Sequence, residues 1–393
     1  MLTTGIRGRR RINPASAVAM MIIVLLAGSA RAAITYTDLY TLGTPSGFDF
    51  AGPAGFNPIA GGQVVGYGSG TGTGGNNHAV LWTPAVPGGT DLNPAGFTSS
   101  RMSGTSGAQQ VGEGQTSSQN HALLWSGTTA SAVDLNPAGF DDSRAEGVGG
   151  TQQVGFGTPT SGTLAHALLW TGTSASAVDL NPAGFIVSRS LDTSGTQQVG
   201  SASASPTGDN EHAMLWSGTA ASAVDLNPAG FDVSLASGVR NTQQVGSGSG
   251  SASSFNTHAL LWTGSAASAI DLNPAGFVIS EAYGTSGTFQ VGVGYHTIAG
   301  SAHALLWGGS ASVFSDLQSV LPPSFTDSIA YSINGSTVYG EAIDTDGNTH
   351  AIVWSLPEPG SACIILAGGC TALLRRPQRG WRGHREMRDS HLS

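Results

Sequence analysis

His121-Ala122-Leu123-Leu124-Trp125, the small polar spacer 126–131, and Ala132-Val133-Asp134-Leu135-Asn136-Pro137-Ala138-Gly139-Phe140 form the stretch from which the chain is built. The His-Ala-x-x-Trp half recurs seven times, from His78, His121, His166, His212, His258, His303 and His350, at spacings of 43, 45, 46, 46, 45 and 47 residues. A fixed period over most of 393 residues argues for one array whose neighbouring units share a core. The 58 glycines, about twice the usual share, form no collagen triplet and read as turn residues between many short strands.

Each unit offers four short strand candidates, in the third unit 143–148, 152–157, 166–171 and 177–180. Between the first and second lie Ser106-Gly107, Gly149-Gly150, Ser194-Gly195, Ser286-Gly287 and Asn334-Gly335, dipeptides suited to the positive φ of tight hairpins. The Asn-Pro of Asp-Leu-Asn-Pro-Ala-Gly-Phe stops the fourth strand and turns the chain toward the next unit. In His121-Ala122-Leu123-Leu124-Trp125 alternation makes both faces largely apolar, as a sheet packed between two neighbours requires.

Four antiparallel strands in about 45 residues match a propeller blade. The seventh unit stops at Pro357 without a fourth strand, while Ile34-Thr35-Tyr36-Thr37-Asp38-Leu39 reads as a spare fourth strand with the same Asp-Leu ending. One missing and one spare strand close a ring and remove the free edges of an open array. The expected fold is therefore all-β, a seven-bladed β-propeller closed by an N-terminal strand. An open β-solenoid, the competing reading, leaves the complementary ends unexplained.

Charge separates the array from its flanks. There is no lysine, and eleven of the 15 arginines lie in the two termini. Residues 33–357 hold four arginines against 21 acidic residues, about −17. Such a surface disfavours nucleic acid and anionic lipid and suits cations or a salty, extracellular setting. Residues 1–33 read as a secretory signal peptide: basic Arg7 to Arg11, an apolar core at 17–27, and an Ala30-Arg31-Ala32 cleavage site. Both cysteines, Cys363 and Cys370, fall in the C-terminal apolar stretch, so folding of the array rests on packing without disulfides.

At the other end Pro357-Glu358-Pro359 precedes a 14-residue apolar segment, 361–374, followed at once by Arg375-Arg376. This order resembles the PEP-CTERM sorting signal of exopolysaccharide-making bacteria. The resemblance implies transient inner-membrane anchoring through a hydrophobic helix, recognition by an exosortase-type machinery, and transfer to the cell surface or matrix. The same segment would also serve as an ordinary single-span anchor. The sequence thus divides into signal peptide 1–33, array 34–356, sorting signal 357–376 and basic tail 377–393. The array in turn resembles the extracellular HAF repeats, named for His-Ala-Phe followed by a Trp and an Asp-Leu. Here Leu123, Leu168, Met214, Leu260, Leu305, Val80 and Ile352 stand in place of the Phe. That resemblance implies export and repeat architecture, with no activity assigned.

Catalysis needs residues that differ from their repeats, because one pocket requires a unique nucleophile or base. Within the array His296 is the only histidine outside the repeat, and it reads as a solvated loop residue. The repeated sets His121, Trp125, Asp134; His166, Trp170, Asp179; His212, Trp216, Asp225; and His258, Trp262, Asp271 could supply metal ligands or sugar-stacking platforms. Their repetition in every unit favours a structural vocabulary like that of WD-repeat propellers: capping, filling and hydrogen bonding. Asp344, Asp346 and Asn348 have the look of a calcium loop but lack a downstream bidentate Glu, and a hairpin turn explains them with fewer assumptions. No cofactor is assigned, calcium being the one considered. The variable loops 158–165, 203–211 and 247–257 should gather on one face, where any recognition of exopolysaccharide would occur. The expectation is a non-enzymatic surface or matrix protein, with a lectin-like polysaccharide-binding propeller as the alternative.

Overall fold

The computed structural model describes residues 33–55, 58–205 and 210–357. Residues 1–32, read as a signal peptide, Glu358, Pro359, Arg375 and Arg376 of the expected sorting signal, and the basic tail lie outside the described residues. The unit Ile34–Leu356 forms seven antiparallel sheets of four main strands, in the order of the chain in every blade but the seventh, and blade one carries an extra two-residue strand, Ile59–Ala60. Blade three is typical: Phe140–Gly149 innermost, then Gln152–Pro159, His166–Trp170 and the short outer strand Val178–Asp179. The expected seven-bladed propeller is the fold found.

Closure is where the sequence argument is tested. Blade seven takes Phe325–Asn334, Thr337–Asp344 and Thr349–Ser355 from the end of the array and its outer strand, Thr35–Thr41, from the beginning. Asp38 pairs with Ile352, the register in which Asp134 pairs with Leu123. The His350 Nδ1 to Asp38 Oδ2 contact of 2.8 Å spans 312 residues and repeats the local His-Asp contact of every other blade. Past this strand the Gly43 carbonyl accepts Trp82 Nε1–H at 2.7 Å, tying the closing segment to blade one.

The core lies between blades. Ala122 and Leu124 of blade two pack with Leu168 and Trp170 of blade three, and the seven repeat tryptophans are fully buried in equivalent seats. Burying one such aromatic removes roughly 200 Å² from contact with water, so the belt of tryptophans dominates the inter-blade energetics. Close approach sets one glycine per blade. At Gly66, Gly112, Gly155, Gly200, Gly246, Gly292 and Gly340 a Cβ would lie 1.9–2.0 Å from a carbonyl oxygen of the innermost strand. In blades one to six that is the Gly of the Val-Gly step, and in blade seven it follows Tyr339.

A second-order pattern emerges only in three dimensions. In blades one, three, five and seven the innermost hairpin turns in two residues, led by Gly61, Gly150, Asn241 and Gly335 at φ 55–59°. In blades two, four and six it needs four, 106–109, 194–197 and 286–289, with Gly107, Gly195 and Gly287 at φ 85–88°. Buried glutamines follow the alternation. Gln110, Gln198 and Gln290 donate through Nε2 to Gln63, Gln152 and Gln243 of the preceding blade at 2.8–3.1 Å, whereas Gln153 and Gln244 reach Gln109 and Gln197 at 3.4 Å. Each of these five also accepts the N–H of a glycine two residues after the repeat Trp, so a fully buried amide is satisfied at both ends.

Candidate functional site

The residues that repeat are joined to one another. His78, His121, His166, His212, His258, His303 and His350 each place Nδ1 2.7–2.8 Å from the Oδ2 of Asp91, Asp134, Asp179, Asp225, Asp271, Asp316 and Asp38. The other carboxylate oxygen of Asp134 accepts Asn136 N–H at 2.8 Å, the Asn136 side-chain oxygen accepts Ser143 Oγ–H at 2.6 Å, and Ser143 Oγ accepts Ala122 N–H at 2.9 Å. Ser143 belongs to the next blade, so the motif ends one blade, begins the following one and returns to the first. The same chain runs through Asp179, Asn181, Ser188 and Ala167, and through the corresponding residues of blades four and five. Among the described residues, no Ser, Thr or Tyr hydroxyl is hydrogen-bonded to Nε2 of His78, His121, His166, His212, His258 or His303.

The small polar spacer has a structure of its own. It contains a 3-10 turn, Thr129–Ser131 in blade two, whose Ser131 Oγ accepts Ser126 N–H and donates to Thr128 O. Asp344, Asp346 and Asn348 sit in the hairpin joining Thr337–Asp344 to Thr349–Ser355. There Asp344 Oδ1 accepts the N–H of Asp346 and of Asn348, while its Oδ2 accepts Asn348 Nδ2–H and lies 3.2 Å from His350 Nε2. The Asn348 side chain leads the donors that hold the Asp344 carboxyl down to about 2. Its oxygens are thus engaged by its own loop and its own blade.

Chemistry that differs from blade to blade is concentrated on the innermost strands. One position reads Gly52, Arg101, Arg144, Arg189, Leu235, Glu281 and Ile329 around the ring. Three of the array's four arginines therefore stand side by side in blades two to four. Glu113 forms ion pairs with both Arg101 and Arg144, and burial pushes the neighbouring Glu146 carboxyl up against the opposing pull of Arg101. Arg189 is exposed, lies 5.1 Å above the Phe156 ring, and has no carboxylate partner among the described residues.

Arg144, Arg189, Phe156 and Asn120 line a cleft of ≈ 450 Å³ whose far wall is the loop segment Thr163, Leu164 and Ala165. One of the three loops expected to vary thus faces this arginine row. Across the hub the character reverses. Tyr283 and Tyr331 stack at 5.8 Å and donate to Glu281 and Glu341 at 2.9 Å, and desolvation, followed by those carboxylates, raises both phenols.

At the opposite mouth all seven innermost hairpins surround a cleft of ≈ 400 Å³. Asp192 lines it, at the position held by Gly104, Gly147, Gly238 and Gly284 in other blades. Desolvation lifts its carboxyl to about 7, against the Val239 N–H that donates to it at 2.9 Å. Two further departures lie on the loop face. Ser254 and Phe255 take φ of 54° and 61° where blade one has Gly74 and Gly75, and Phe255 is 71% exposed. His296 is exposed as expected of a loop residue, yet it stacks on Phe277 at 4.0 Å and stands 4.9 Å from the His303 ring.

No family model matches the chain, and no curated protein matches it. Similar solved structures include puromycin hydrolase, with a TM-score of 0.48 and 14% identity over 80% of this chain and 54% of that one. The β-propeller domain of the Trilobed protease from Pyrococcus furiosus, described as having an open velcro topology, gives 0.49 and 10% over 75% of this chain and 93% of that one. An oligogalacturonate lyase in complex with manganese gives 0.45 and 10% over 83% and 91%. The chain spans about half the length of the puromycin hydrolase, and no function passes to it from likenesses of this order.

Proposed function

We propose that this chain is a non-enzymatic exported propeller of the cell surface or extracellular matrix, delivered by an exosortase-type pathway of the kind its Pro357-Glu358-Pro359 signal resembles. The observation that carries the non-enzymatic part is the sevenfold use of the His-Asp pair: the side chains best suited to acid–base work are spent on holding each blade and its neighbour in register. Delivery rests on the terminal signals. Fractionation of a producing cell tests it: the array should be recovered from the surface or matrix, and after Pro357→Ala and Glu358→Ala it should be retained in the inner membrane. Recovery of the wild type only from the cytoplasm would overturn the reading.

A lectin-like role is the second reading, and one observation favours it. An acidic array has gathered three of its four arginines on one channel-side stretch, and Arg189 stands there without a carboxylate partner among the described residues. A guanidinium row beside an aromatic ring and an Asn suits carboxylate or sulfate groups on a polysaccharide. Binding of the full chain to a panel of neutral and acidic polysaccharides, with calcium and with chelator, is the measurement. Saturable binding to an acidic glycan that drops at least tenfold in Arg144→Gln/Arg189→Gln supports this role. Equal binding by the variant, or none by either protein, removes it.

A further inference from the structure

Blade six departs from the repeat next to its histidine, and the departure sets a second imidazole beside it, so that two unmatched lone pairs lie together. His303 presents Nδ1 to Asp316 Oδ2 at 2.8 Å. His296 presents Nδ1 to the Gly276 carbonyl at 2.8 Å. A carbonyl oxygen can only accept, so His296 carries its proton on Nδ1, and the carboxylate favours the same tautomer in His303. Both Nε2 atoms are then acceptors, and neither has a hydrogen-bond partner among the described residues. The rings are held by packing: His296 lies flat on Phe277, and His303 meets the same phenylalanine edge-on at 6.1 Å.

The other blades act as internal controls. By strand register, the position of His296 is occupied by Gly70, Thr116, Pro159, Ala204 and Gly250 in blades one to five, none of which offers a nitrogen or carboxylate ligand. In blade seven it is Asp344, whose carboxylate lies 3.2 Å from the Nε2 of His350. Blade seven therefore matches the repeat histidine with an acceptor that can take its proton, whereas blade six sets a second base against it.

We propose that His296 and His303 bind a borderline divalent transition-metal ion, Zn²⁺ or Cu²⁺, through their Nε2 atoms, with Asp316 orienting His303 and water completing the coordination. His296, His303 and Asp316 each bring one ligand atom within 4.8 Å of the others. Two nitrogens on one tetrahedral zinc stand about 3.3 Å apart, given Zn–N bonds of about 2.0–2.1 Å. An exposed loop can supply the remaining movement. A backbone carbonyl behind one imidazole and a carboxylate behind the other are the supports that fix ligand orientation and raise basicity at metal sites. Imidazole nitrogen selects zinc or copper over calcium and magnesium, which prefer oxygen.

The test is titration of the full-length chain with ZnCl₂ by calorimetry and thermal melting, and with CuCl₂ by electron paramagnetic resonance. His384→Ala/His391→Ala is the background, so that the tail histidines cannot contribute. One zinc per chain, a melting temperature raised by zinc but not by calcium, and copper hyperfine structure from two imidazole nitrogens are expected. His296→Ala should weaken zinc at least tenfold while leaving the metal-free melting temperature unchanged. Should that variant melt early, the copper spectrum of the background protein decides, two imidazole nitrogens supporting the site and one or none overturning it. Equal zinc affinity in background and His296→Ala overturns it as well.

Discussion

The outer belt and the hub of this propeller are built on opposite rules. In the belt, His, Trp and Asp recur in every blade, each tryptophan buried and each histidine joined to its aspartate, including the pair that joins Asp38 to His350 across the closure. At the hub, one position of the innermost strand holds Gly52, three arginines, Leu235, Glu281 and Ile329. The belt must be uniform because each blade packs against two copies of itself, so one seat admits one solution. The hub and loop face are where each blade meets solvent or a cleft, and there a departure costs the neighbours little. Stability should therefore fall when a repeated residue is changed, whereas changes at departures should spare or raise it.

Removing residues 34–42 should give the largest effect. It takes away the outer strand of blade seven, exposes the edge of Thr349–Ser355, strips Asp38 from His350, and removes Leu39 and Leu42 from the cluster around Trp82. We expect the cooperative melting transition to be lost, or to fall by more than about 10 °C with aggregation. The point change Asp38→Ala should cost about 1–2 kcal/mol in denaturant unfolding, like Asp134→Ala in a local pair. A much smaller loss at Asp38 than at Asp134 would show that closure does not use the belt motif.

Asp192→Asn comes next and has the opposite sign. The folded carboxyl titrates near 7, well above its value in the unfolded chain, so the fold binds the extra proton between about pH 4 and 7 and loses stability as pH rises through that window. A full shift of this size would amount to about 4 kcal/mol, and since Asp192 is only partly buried at the cleft mouth we expect about 2 kcal/mol. At pH 8 the Asn variant should be the more stable by that amount, and at pH 4 the two should coincide. A parent whose stability is flat from pH 4 to 8 would contradict the assignment.

Phe255→Gly should be smaller again, a gain of about 1 kcal/mol, because relief of a left-handed Phe exceeds the added entropy of the unfolded chain. Blade one already runs the equivalent loop through Gly74 and Gly75, with Gly75 N–H on Gly70 O where blade five has Phe255 N–H on Gly250 O. If the same variant binds polysaccharide less well, the strained ring is kept for contact. Calcium should do least. With both oxygens of Asp344 already accepting hydrogen bonds, the melting temperature is expected to stay within about 1 °C in calcium or chelator, for the parent and for Asp344→Asn/Asp346→Asn alike. A calcium-dependent shift confined to the parent would restore the calcium loop.

Period, blade count and closure could be read from the sequence because each is encoded by spacing. Seven His-Ala-x-x-Trp units with a spare Asp38-Leu39 at one end and a missing fourth strand at the other admit one ring, and apolar residues on both faces of 121–125 demand neighbours on both sides. The pairing of hairpins was also present, as Thr-Ser-Gly at 105, 193 and 285 against the shorter Gly150-Thr151 and Asn241-Thr242, but one or two residues in 45 carry no meaning until the register is known. What only the tertiary structure decided is which departures meet. Arg144 and Arg189 are 45 residues apart in the chain and become neighbours because adjacent blades put the same strand position side by side. His296 is an isolated loop histidine in the sequence, yet the return of the third strand sets it against His303. A repeat fixes which positions are equivalent, while the ring fixes which are adjacent, and site chemistry depends on adjacency.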